Sequence, residues 1–85
     1  MITSASNKSI KNVQALLSKA KERKKQGVFV VEGPKMSFEA PYDWVSAVYM
    51  SESFFNDDRF KEEKKRFIDK TEIVSDSVFK SMSDT

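Results

Sequence analysis

Lys21, Arg23, Lys24 and Lys25 place four cations within five consecutive residues. Such a run can hold phosphate oxygens, and it can equally be a solvated helix end, the usual fate of exposed lysine and arginine. Arg23 is the most particular member, because a planar guanidinium can fix a phosphate in one orientation or stack on an unpaired base, whereas lysines mainly supply charge. Lys35, just beyond the Gly33 turn, is a second candidate with a helix-surface alternative. Asn7 is either a polar RNA contact or a helix cap, and its position before an apolar-periodic segment favours the cap. Trp44 and Tyr42 can stack on bases, although aromatics at this density mostly pack locally; Phe29, Phe60 and Phe67 are assigned to the core.

Other chemistry finds little support. The chain has no histidine and no cysteine, which removes the usual neutral-pH general base, thiolate metal sites and disulfides. Asp57, Asp58, Glu62 and Glu63 cluster, but they lack calcium-loop spacing and are interrupted by Arg59 and Lys61, so they read as solvated helix surface with a capping aspartate and no metal site. Glu32-Gly33-Pro34-Lys35 has neither the glycine spacing of a dinucleotide turn nor the Gly-Lys-Ser/Thr of a nucleoside triphosphatase. No acid, base, nucleophile or metal set is assembled, which leaves a stand-alone enzyme the poorest reading.

The charge is unevenly distributed. Through Lys35 eight basic residues face Glu22 and Glu32, a balance of +6, and from Met36 onward seven basic residues face eleven acidic ones, a balance of −4. Attraction for nucleic acid therefore belongs to the amino-terminal third. With 85 residues, the chain is long enough for one small domain, residues 1–85, and seven Phe, one Trp and two Tyr are enough to build a core. No apolar segment reaches roughly 18 residues and no signal-peptide core is visible, so a cytoplasmic location is expected.

The elements that must position these residues alternate. A helix is predicted over 8–26, capped by Ser6 or Asn7, left through Gly27, and buried along Ile10, Val13, Leu16, Leu17 and Ala20. The almost wholly apolar run 28–31 predicts a central strand, and Pro34 opens a short helix over 35–40. A second strand is expected over 44–50 with helices on both faces. After a turn holding Phe54 and Phe55, Asp57 or Asp58 should cap a charged helix that buries Phe60, Phe67 and Ile68. A third strand over 71–74 leads to a helix capped by Ser75 or Asp76 and burying Val78, Phe79 and Met82. This alternation predicts an α/β fold with a mainly parallel sheet. Because the chain stops just after a helix with no closing strand, it is expected to be a fragment of a longer protein.

Ile2-Thr3-Ser4, Asn7, Ile10-Lys11, Arg23 three residues before Gln26-Gly27, Phe29, Glu32-Gly33, Lys35 and Glu39-Ala40 together resemble the opening signature of the SpoU-type RNA ribose methyltransferases. Val74-Ser75 and Met82-Ser83-Asp84-Thr85 are similar to the end of that family's substrate-binding domain. The resemblance is strong over 2–40 and rests on the α/β rhythm alone over 41–73. It implies a small three-layer α/β/α domain akin to RNA-binding ribosomal proteins, set before a knotted catalytic domain that uses S-adenosylmethionine to methylate an RNA ribose 2′-hydroxyl. It further implies RNA, ribosomal by expectation, as partner, and a homodimeric parent. The family's RNA-engaging positions fall on Asn7, Lys11, Arg23 and Lys35, beside the charge-run candidates Lys21, Lys24 and Lys25. Lys35 stands where arginine is frequent, and Ser9 where proline is frequent. The alternative is a protein-interaction module docking through the charged helix 58–69.

Overall fold

The computed structural model describes residues 1–83. Asp84 and Thr85, the last two residues of the closing motif, lie outside them. The chain runs α1 (Lys8–Ser18), α2 (Ala20–Gln26), α3 (Pro34–Phe38), a 3-10 turn (Tyr42–Trp44), β1 (Val48–Ser51), α4 (Glu52–Asn56), α5 (Lys61–Arg66), a second 3-10 turn (Ile68–Lys70), β2 (Thr71–Val74) and α6 (Asp76–Ser83).

β1 and β2 are parallel, with Val48 opposite Thr71 and Ser51 opposite Val74, so the connection through α4 and α5 is a crossover. The far edge of β2 carries one further parallel bridge, Ile2 to Val74. It is held by Ile2 N–H to the Ile73 carbonyl at 2.8 Å and Ser75 N–H to the Ile2 carbonyl at 2.9 Å. Side chains alternate across the sheet and divide the core. Tyr49 packs with Ile10, Val74, Val78 and Met82. Its neighbours Val48 and Met50 pack with Phe38 and Phe67. Both faces of β1 thus meet helices, and the domain is a small α/β fold with a parallel sheet, as predicted.

Several local expectations hold for the reasons that prompted them. The Asn7 side chain accepts the Ser9 N–H at 2.8 Å and caps α1. Gly27, at φ 68°, ends α2 with its N–H on the Lys24 carbonyl and the Val28 N–H on the Arg23 carbonyl, the paired bonds of a Schellman stop. Pro34 occupies the first turn of α3, where no intrahelical bond is lost. Ser75 precedes α6 and its hydroxyl accepts the Val78 N–H at 3.4 Å.

Four expectations are corrected. The predicted helix 8–26 is two helices broken at Lys19, which has extended torsions (φ −126°, ψ 109°). Ser18 Oγ donates to the Gln14 carbonyl at 2.8 Å, a back-bond that weakens the last turn of α1. The predicted central strand 28–31 is a connecting segment that joins no ladder, and Phe29 is 76% exposed rather than core. An apolar run sets a preference for burial, while a strand needs a partner edge, and β1 lies across an open cleft from this segment. The second strand begins at Val48 because Tyr42–Trp44 forms a 3-10 turn. Finally, the charged helix is only α5: Phe54 and Phe55 belong to α4, Asp57 makes a local turn with the Arg59 N–H at 2.9 Å, and Ile68 is 51% exposed beyond the helix end.

Candidate nucleic-acid interface

α1 and α2 fold back on each other through polar side chains. Gln26 Nε2 donates to Asn12 Oδ1 at 2.9 Å, and Asn12 Nδ2 returns a bond to Gln26 Oε1 at 3.4 Å. Nearer the bend, Arg23 Nη1 donates to the Leu16 carbonyl at 2.6 Å and the Leu17 carbonyl at 3.3 Å. These carbonyls belong to the last turn of α1, where intrahelical donors run out, so Arg23 closes the hairpin and its charge faces the negative end of the helix dipole. The guanidinium keeps Nε and Nη2 for another partner.

This hairpin sets the turn bearing Lys11 alongside the turn bearing Lys24 and Lys25, while Lys21 lies at the opposite end of α2. Lys11, Lys21, Lys24, Lys25 and Lys35 are all exposed. None of them has a side-chain hydrogen bond or ion pair among the described residues. Asn7 is spent locally as the α1 cap.

Cations later in the chain are used differently. Arg59 pairs with Asp57 at 2.8 Å, Lys61 with Asp58 at 3.6 Å and Lys65 with Glu62 at 3.9 Å. Lys64 is buried, bonded to the carbonyls of Phe54 and Asp57 and to the Asp57 carboxylate at 2.9 Å, and sits 4.3 Å from the centre of the Phe54 ring. Arg66 donates to the Phe38 carbonyl, and Lys70 to those of Tyr42 and Val45, each at 2.7 Å. Hydrogen bonds from Lys64, then Arg59, hold the Asp57 carboxyl down at about 2. Between Arg59 and Lys70 every cation thus has an acid or carbonyl partner, whereas Lys11, Lys21, Lys24, Lys25 and Lys35 have none among the described residues.

Between the segment 26–34 and β1 runs a cleft of about 1060 Å³. In sequence, exposed Lys25 immediately precedes that segment and exposed Lys35 follows it; the charged residues of the lining itself are Glu32, Asp57 and Arg59. Trp44, 78% exposed, opens into it together with Phe29. Tyr42 is instead packed on Phe67 at 5.8 Å between ring centres and donates its hydroxyl to Asp69, a bond that raises its pKa.

Sequence reasoning missed two residues. Lys64 shares the helical spacing of Phe60 and Phe67, which places it on the apolar face; that register was the available signal. Phe29 lies between Gly27 and Gly33, both at positive φ, and these breaks could have marked its run as a connecting segment. No metal-holding cluster of carboxylates occurs among the described residues, and no helix among them is long and apolar enough to cross a membrane.

The family model described as MRM3-like substrate binding domain matches residues 7–85. No curated protein and no solved structure matches the chain.

Proposed function

Because the chain belongs to the MRM3-like substrate-binding domain family, a substrate-binding domain of RNA methyltransferases with RNA as its partner, we propose that it holds the RNA backbone on the α1–α2 hairpin and the Lys35 turn. The observation that carries this reading is the contrast in cation use. Lys11, Lys21, Lys24, Lys25 and Lys35 are unpaired among the described residues, whereas in α5 Lys61 and Lys65 pair with neighbouring acids, Lys64 is buried against Asp57, and Arg66 is bonded to the Phe38 carbonyl. Exposed pairs of that kind contribute at most about 1 kcal/mol, and they leave α5 little net charge with which to dock a partner. The protein-docking alternative therefore has the weaker surface.

In this reading phosphate contacts orient the RNA without reading its sequence. Lysines supply attraction, and Arg23 adds a directed contact through the guanidinium edge not used on α1. The finer proposal is that the RNA is ribosomal and that a downstream domain, in a homodimeric parent, transfers a methyl group from S-adenosylmethionine to a ribose 2′-hydroxyl. In this reading no S-adenosylmethionine site belongs to this chain. Its two glycines end one helix and precede a five-residue one, and neither follows a strand among the described residues.

Fluorescence anisotropy with structured ribosomal RNA fragments tests the surface. The combined Lys21→Ala, Lys24→Ala and Lys25→Ala variant is expected to lower the log-log salt slope by about 2 if each lysine meets one phosphate of a single strand, and Lys35→Ala by about 0.7. Circular dichroism should remain unchanged. Parent-like affinity and slope in both folded variants would remove the basic surface. Calorimetry is expected to give no saturable heat with S-adenosylmethionine; stoichiometric micromolar binding would overturn the assignment of the cofactor to a downstream domain.

A further inference from the structure

Ten aromatic side chains are present in the sequence. Eight belong to the two cores: Tyr49 and Phe79 in one, and Phe38, Tyr42, Phe54, Phe55, Phe60 and Phe67 in the other. The remaining two, Phe29 and Trp44, are 76% and 78% exposed and line the same cleft. They come from different elements, Phe29 from the segment after α2 and Trp44 from the 3-10 turn before β1. An aromatic ring left in water gains no burial free energy, and two such rings facing one cleft form a surface suited to another flat apolar partner.

Charge identifies the partner. The Phe29 wall is preceded by Lys24 and Lys25 and followed by Lys35, all exposed and unpaired among the described residues. The lining itself carries Arg59 and two carboxylates. Asp57 is neutralised by Arg59 and Lys64, and Glu32 stands at the Gly33 turn. Stacking rings flanked by cations that can follow a backbone form the arrangement by which proteins hold single-stranded nucleic acid. An apolar peptide would leave those lysines without a role.

We propose that this cleft receives unpaired bases of the RNA, which stack on Phe29 and Trp44 while the flanking phosphates run past Lys24, Lys25 and Lys35. The proposal rests on the RNA-binding reading and adds to it a preference for single-stranded substrate. Stacking accepts any base, so the cleft discriminates strandedness rather than sequence.

Trp44 is the only tryptophan, which makes its emission a direct report on the cleft. The full chain is titrated with end-labelled single-stranded oligonucleotides and with a duplex of equal length, reading anisotropy and Trp44 emission together. The single strand is expected to quench Trp44 along the same saturation curve as the anisotropy, while the duplex binds without quenching. Phe29→Ala and Trp44→Ala should each weaken single-strand binding by roughly fivefold to 150-fold, with duplex binding and circular dichroism unchanged, and Trp44→Phe should retain most of the affinity. Saturating anisotropy with constant Trp44 emission, and parent-like affinity in Phe29→Ala, would sink the cleft proposal and leave the basic surface standing. No anisotropy change with either RNA overturns both. A dimer in sedimentation that Phe29→Ala dissolves would make a second copy the occupant, and the proposal would be wrong.

Discussion

Arg23 is expected to be both a structural closure and a substrate contact, and the two roles can be separated. Replacing it with alanine removes the donors to the Leu16 and Leu17 carbonyls, at 2.6 and 3.3 Å, and exposes the end of α1. A hydrogen bond to a charged group is worth about 1.5–3 kcal/mol. The side chain is half-buried and one bond is long, so about 1–2 kcal/mol for the pair is the appropriate scale. At about 0.05–0.15 kcal/mol per residue, a chain of 85 residues has a total stability of about 4–13 kcal/mol. Arg23→Ala should therefore lower Tm by about 5–15 °C. Assayed below that Tm, it should also reduce the salt slope for RNA binding by about 0.7. Arg23→Lys keeps the charge but cannot span two carbonyls while presenting a second edge, so it should restore most of the slope and only part of the Tm. A Tm within 2 °C of the parent would refute the closure. An unchanged slope in folded Arg23→Ala would refute the phosphate contact and leave the residue purely structural.

Two further outcomes follow from the cation buried on α5. Lys64→Met keeps the stem and removes the ammonium, stranding the Phe54 and Asp57 carbonyls; unfolding in urea should show a loss of about 2–4 kcal/mol, and a change below 0.5 kcal/mol would show that these groups do not need it. The Asp57 carboxyl titrates at about 2 in the folded chain, below an ordinary value of about 3.9; its contribution is therefore complete above pH 4 and lost as pH falls toward 2, so Asp57→Asn should flatten stability between those limits, and an acid limb identical to the parent's would contradict the pairing.

What could be read from the sequence was what local chemistry decides. Asn7, Gly27, Pro34 and Ser75 mark boundaries because each solves a problem of backbone hydrogen bonding or torsion within a few residues. The strand 71–74 was legible because β-branched residues sit between turn signals. The segment 28–31 was not, since its pairing depends on how far away β1 lies. Lys19 offered no breaker residue, and its break depends on Arg23 reaching back to α1, a contact across six or seven positions. The candidate site was legible as charge. Its cleft was not, because Phe29 and Trp44 carry the same residue-type signal as buried aromatics and differ only in what failed to cover them.

The division of the core also sets an order of assembly. The cluster around Phe38, Met50 and Phe67 draws its members from residues 38–67, so it closes only short loops. The cluster around Ile10 joins Ile2 and Val13 to Val74, Val78 and Met82. Its closure entropy comes from almost the entire chain, and contacts of that span are made late. On a ribosome adding about 5–20 residues per second, α1 is made first and waits several seconds for α6, its apolar stripe in water. The part of the domain that carries most of the unpaired positive charge is therefore the first to be synthesised and the last to be locked in place.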